Sequence, residues 1–75
     1  MTSLMFYDIE CAWVPGTTDR VRLVMSGRNW INKTQIRELA LSKVVALFGR
    51  RLLEDLYLRG RARRRLSSRQ LLKLA

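Results

Sequence analysis

Between Met5 and Val14 the odd positions are Met5, Tyr7, Ile9, Cys11 and Trp13, and the intervening ones include Asp8 and Glu10. Alternation with period two, in β-branched and aromatic residues, predicts a strand with one buried face. Pro15-Gly16-Thr17-Thr18-Asp19 supplies a turn, in which proline fixes φ and glycine accepts φ > 0. Val21, Leu23 and Met25 then resume the alternation, with Arg20 and Arg22 on the other side. The two runs predict a β-hairpin over about residues 4–26. Setting Cys11 opposite Val21 places Glu10 against Arg22, a cross-strand ion pair of the kind that helps fix register. Two strands alone are marginal in water, so the apolar face of the hairpin needs a cover.

The period changes further along. Ile31-Asn32-Lys33-Thr34-Gln35-Ile36 has the features of a helix start, with Asn32 as cap, Gln35 three positions on, and Ile31 and Ile36 as a hydrophobic staple. Ile36, Leu39, Ala40, Val44, Leu47 and Phe48 recur at helical spacing. Gly49 either ends that helix or sits within a longer one. Leu52, Leu53, Leu56 and Tyr57 extend the apolar stripe and predict a second or kinked helix to about Leu58. Leu66-Ser67-Ser68-Arg69-Gln70-Leu71 repeats the start pattern and predicts a short helix over Ser68 to Lys73 that buries Leu71, Leu72 and Leu74. The expected fold is α+β: one small domain over residues 1–75, an N-terminal β-hairpin packed on two or three C-terminal helices, with the helical region at about 33–75.

Composition narrows the function. A hydrophobic content of 48% argues against a disordered chain, while 75 residues leave room only for a thin core. With one cysteine and no histidine, an intramolecular disulfide, a Ser-His or Cys-His nucleophile pair and a structural zinc site are all out of reach for a single chain. The chain is therefore expected not to be an enzyme, with no catalytic residues, no cofactor, no metal site and no small-molecule substrate. Cys11, alternating inward with Ile9 and Trp13, reads as an inert buried thiol with no basic residue placed to lower its pKa. Asp8 and Glu10 share a strand face, and Arg22 is a better partner for them than a divalent cation. No basic leader and no apolar run of about 20 residues stands in the sequence, which predicts no membrane span and a cytoplasmic location.

Charge supplies the positive signal. The chain carries 15 basic residues against 6 acids, a net charge of +9. Residues 50–75 hold nine of the basic residues and only two acids, Glu54 and Asp55, which read as helix-surface partners of Arg50, Arg51 or Arg59. The densest piece, Arg59-Gly60-Arg61-Ala62-Arg63-Arg64-Arg65, has five arginines in seven residues. Guanidinium is planar and binds phosphate through two donors, so such a run is the footprint of a polyanion binder. Its self-repulsion would be relieved by a negatively charged macromolecule. The candidate nucleic-acid contacts are Arg50, Arg51, Arg59, Arg61, Arg63, Arg64, Arg65, Arg69 and Lys73. Arg61, Arg63, Arg64 and Arg65 are expected to carry binding together without supporting the fold. Trp13, Trp30 and Arg28 are candidates for a protein-binding surface, although large aromatics in so small a chain belong more often to the core.

An ordinary helix-turn-helix around Gly49 is rejected, because Asp55 would stand where the second helix buries an aliphatic side chain. The expected function is that of a small basic nucleic-acid-associated regulatory factor, acting in transcription through phosphate contacts. The competing expectation is a small, phage-type, protein-binding modulator that docks on a large nucleoprotein machine such as RNA polymerase or the ribosome. A basic helix lying on a membrane surface is disfavoured, because Arg59 to Arg65 lacks interleaved large apolar residues.

Overall fold

The computed structural model describes residues 6–27 and 34–74. The fold is α+β. In chain order it comprises β1 (Phe6–Trp13), β2 (Arg20–Gly27), β3 (Thr34–Ala40), α1 (Leu41–Phe48), α2 (Arg50–Arg59), β4 (Arg61–Ser67) and α3 (Ser68–Leu71), closed by a 3-10 turn at Leu72–Leu74. The strands make one antiparallel sheet in the order β3-β2-β1-β4. No helix among the described residues is long and apolar enough to cross a membrane.

The β1–β2 hairpin forms where the alternation predicts it. Ile9, Cys11, Val21, Leu23 and Met25 all lie on one face and are buried. The register differs by two residues from the expected one: Trp13 opposes Val21, Cys11 opposes Leu23 and Glu10 opposes Val24. The turn explains the shift. The Val14 N–H donates to the Arg20 carbonyl at 3.0 Å, and Thr17 donates from both its backbone N and its Oγ1 to the Val14 carbonyl at 3.0 and 2.9 Å. A compact loop with Gly16 at φ +79° lets the ladder run to Trp13. An even shift keeps every side chain on its face, so the buried set is unchanged. The Glu10–Arg22 pair, however, is lost.

The helices cover the inner face of this sheet. Val44 of α1, Leu52 and Leu56 of α2, and Leu74 of the final turn join the inward hairpin residues in one core. Gly49, at φ +95°, separates α1 from α2, and its N–H donates to the Val45 carbonyl at 2.7 Å. The Leu41 N–H donates to the Asp19 carbonyl at 2.7 Å, which ties the start of α1 to the β1–β2 loop. The final helix begins as predicted. Ser67 Oγ accepts from the Gln70 N–H at 3.3 Å while Gln70 Oε1 accepts from the Ser67 N–H at 3.0 Å, a capping box. Leu74 is buried and Leu71 packs against the core, but Leu72 points outward and is 75% exposed.

Residues 34–40 and 61–67, both within the region expected to be helical, are strands. The hairpin leaves two open backbone edges, and these segments close them. On β3, Arg22 of β2 stands directly opposite Glu38 and Val24 opposite Ile36. Those cross-strand pairs, together with the ladder, outweigh the helical spacing of Ile36, Leu39 and Ala40. Ile36 is consequently 63% exposed on the outer face rather than buried under a helix. The cap assigned to Asn32 lies outside the described residues. In β4 the inward positions are Ala62, Arg64 and Leu66, two of them buried, so the arginine run carries a weak period-two pattern of its own.

Candidate nucleic-acid interface

The register of β4 against β1 decides what each arginine does. Arg63 stands opposite Glu10, Arg65 opposite Asp8, and Arg61 opposite Ala12. Two outward arginines therefore meet carboxylates: Arg63 Nη2 lies 2.8 Å from Glu10 Oε1, and Arg65 Nε lies 3.4 Å from Asp8 Oδ1. Across β2 and β3, Arg22 pairs with Glu38 at 2.8 Å, so Arg22 is not the partner of Glu10 or Asp8. Arg61 meets only a methyl group and has no acidic partner among the described residues.

Arg64 projects to the opposite face, toward the helices. Its Nη2 lies 2.8 Å from Asp55 Oδ2 of α2, and both side chains are about one-third exposed. Asp55, expected on the helix surface beside Arg50, Arg51 or Arg59, is instead half-buried and paired across to the sheet rather than along its own helix. Arg64 also stands near Cys11. Burial pushes the Cys11 thiol up to about 11, and the Arg64 charge opposes that rise without cancelling it. The thiol is buried, as expected, but a basic residue does stand beside it. Arg64 thus ties β4 to α2, a contact not foreseen when Arg61, Arg63, Arg64 and Arg65 were expected to be dispensable for folding.

The nine candidate basic residues do not form one surface. Arg59 ends α2 and Arg61 opens β4, with Gly60 between them in the left-handed conformation at φ +75°. Any side chain other than glycine is strained there, and this turn places two guanidinium groups on either side of one corner. Both line a concavity of about 640 Å³ together with Arg22, Arg63, Arg64, Glu10 and Asp55. Arg50 and Arg51 are exposed at the start of α2, roughly 13 Å along the helix axis from Arg59. Arg69 and Lys73 lie beyond the far end of β4, roughly 20 Å from Arg61. Lys73 instead shares a small groove of about 210 Å³ with Lys43, Ala46, Leu47, Gln70 and Leu74. Repulsion within the run is relieved in part inside the chain: acids hold Arg63, Arg64 and Arg65, while Arg50, Arg51, Arg59, Arg61, Arg69 and Lys73 have none among the described residues.

Trp13 is half-buried, and its Nε1–H donates to the Leu56 carbonyl at 3.0 Å. The same carbonyl accepts from the Gly60 N–H at 2.9 Å, which fixes the indole at the corner that carries Arg59 and Arg61. Tyr57 packs on it with ring centroids 5.5 Å apart and planes at 52°. Tyr57 was expected in the buried stripe, yet it is 67% exposed. Helical geometry accounts for this: Leu52 and Leu56, four apart, define the inward line, and Tyr57 is rotated about 100° from Leu56. Arg28 and Trp30 lie outside the described residues. No protein family, curated protein or solved structure matches this chain.

Proposed function

We propose that this chain is a small basic nucleic-acid-associated regulatory factor that acts in transcription by contacting phosphate backbones. The observation that supports the reading best is the Arg59–Gly60–Arg61 corner. Four of the acids hold Arg22, Arg63, Arg64 and Arg65, whereas the two guanidinium groups at the corner have no acidic partner among the described residues and offer their donors to an external anion. Exposed Arg50 and Arg51 on the same helix extend the positive field. Such contacts position a nucleic acid and do not by themselves read its sequence.

Fluorescence anisotropy with labelled duplex DNA, single-stranded DNA and structured RNA, each at two salt concentrations, tests the reading. Binding is expected to weaken with salt, and Arg59→Ser with Arg61→Ser is expected to reduce the log–log slope by about 1.4 to 1.8, the share of two phosphate contacts. Failure to bind any of the three at low ionic strength overturns it. The competing reading, docking on a machine such as RNA polymerase or the ribosome, draws on the outer edge of β3, where Ile36 is exposed. Retention of that one assembly after nuclease treatment, and its loss in Ile36→Lys, would favour it.

A further inference from the structure

We infer that the exposed ring of Tyr57, backed by Trp13, is a stacking surface for an unpaired base, so that the preferred ligand is single-stranded nucleic acid. The inference rests on the phosphate-binding reading above and narrows it. Three observations meet at one corner. Tyr57 is two-thirds exposed although it belongs to an amphipathic helix whose inward positions are fully buried. One side of its ring is packed against an indole that is itself held by the Leu56 carbonyl, so the ring is backed by a rigid neighbour while the rest meets solvent. Arg59 and Arg61 flank the same corner without acidic partners among the described residues, and the Gly60 N–H shares the carbonyl that anchors Trp13.

The chemistry of the ligand follows from this combination. Guanidinium groups alone suit any polyanion, and an aromatic ring alone suits any apolar group. Together, at adjoining positions, they suit a ligand that alternates flat π-faces with anionic groups. In a duplex the base faces are covered by their neighbours in the stack. In a single strand they are free, and stacking on an aromatic side chain adds affinity whatever the base.

The experiment compares an oligo(dT) and an oligo(rU) single strand with a duplex of equal length and with poly-glutamate, at one low ionic strength. Both single strands are expected to bind more tightly than the duplex and the polypeptide. Tyr57→Ala is expected to weaken single-strand binding about tenfold, to leave duplex binding and the salt slope unchanged, and to lower the melting temperature by no more than about 10 °C, the loss of one aromatic pair. Tyr57→Phe retains the single-strand affinity, because the ring and not the hydroxyl stacks. In a Trp30→Phe background, which leaves Trp13 as the only indole, single-strand binding should quench the tryptophan fluorescence, and the duplex should quench it less.

Equal affinity for single strand and duplex, or an unchanged single-strand affinity in Tyr57→Ala, overturns the inference while leaving phosphate contact standing. Poly-glutamate bound as tightly as oligo(dT) reduces the corner to bare charge and also overturns it. If neither nucleic acid binds at low salt, both this inference and the proposed function fall.

Discussion

Arg63 and Arg64 are neighbours in one strand, yet they occupy different physical situations. Arg64 turns toward the helices, where Asp55 takes its charge at 2.8 Å between partly covered side chains. Arg63 turns outward and meets Glu10 at the same distance, but its side chain is 85% exposed. Water screens the second pair and penalises the loss of the first, because a half-buried carboxylate left alone loses hydration without gaining a partner. The run therefore divides into three roles. Arg64 fastens β4 to α2, Arg63 and Arg65 make weak cross-strand pairs, and Arg59 and Arg61 are exposed with no acid paired to them among the described residues. A dense run of one residue type is not one site.

The inner face offers the largest effects on stability. The Cys11 thiol, ordinarily near 9, is pushed up to about 11 in the fold. A raised thiol means that stability is fully present below pH 9 and is lost as pH rises from 9 through 11, since only the unfolded chain ionises freely there. Two pH units correspond to roughly 2–3 kcal/mol. Urea melts across that window, with Cys11→Ala as the reference, are expected to show the wild type falling more steeply. Parallel curves would mean that the thiol is less confined than the packing indicates. Next, Arg64→Ser strands Asp55 and is expected to cost about 2 kcal/mol, which for a chain of this size lowers the melting temperature by roughly 10 °C. A melt within a few degrees of the wild type would place Arg64 with the outward arginines.

The outer face should respond far less. Arg63→Ser and Arg65→Ser together are expected to cost at most about 1 kcal/mol, and to reduce the salt dependence of polyanion binding less than the Arg59 and Arg61 pair does. If the order of those two double variants reverses in the salt titration, the corner is not the main phosphate contact. Smallest of all, Glu38→Gln removes the Arg22 pair at the β2–β3 boundary and is expected to cost a few tenths of a kcal/mol. A loss of several times that amount would show that this pair, rather than the backbone ladder, holds β3 in place.

Some of this architecture was legible in the chain. Alternation over residues 5–25 located the hairpin and its buried face, and the Ser67–Gln70 spacing located the last cap, because both signals are local and each residue's role is settled by its near neighbours. The conversion of 34–40 and 61–67 into strands was not legible. Ile36, Leu39 and Ala40 fit a helix as well as they fit anything local, and the arginine run hides its alternation because Arg64 stands where an apolar residue would mark the inner face. Tyr57 looked like one more member of a stripe whose angular limits only Leu52 and Leu56 define.

By itself the sequence determined the α+β class, the hairpin faces, the cap of the last helix and the excess of guanidinium, all properties of composition and short-range periodicity. The tertiary structure decided which of the nine basic candidates have acids beside them. That choice depends on the β1–β4 register, which sets Glu10 and Asp8 against Arg63 and Arg65 and leaves Arg61 facing Ala12. A pairing across about fifty residues of chain leaves no local trace, since it is fixed only when two distant strands close the same open edge.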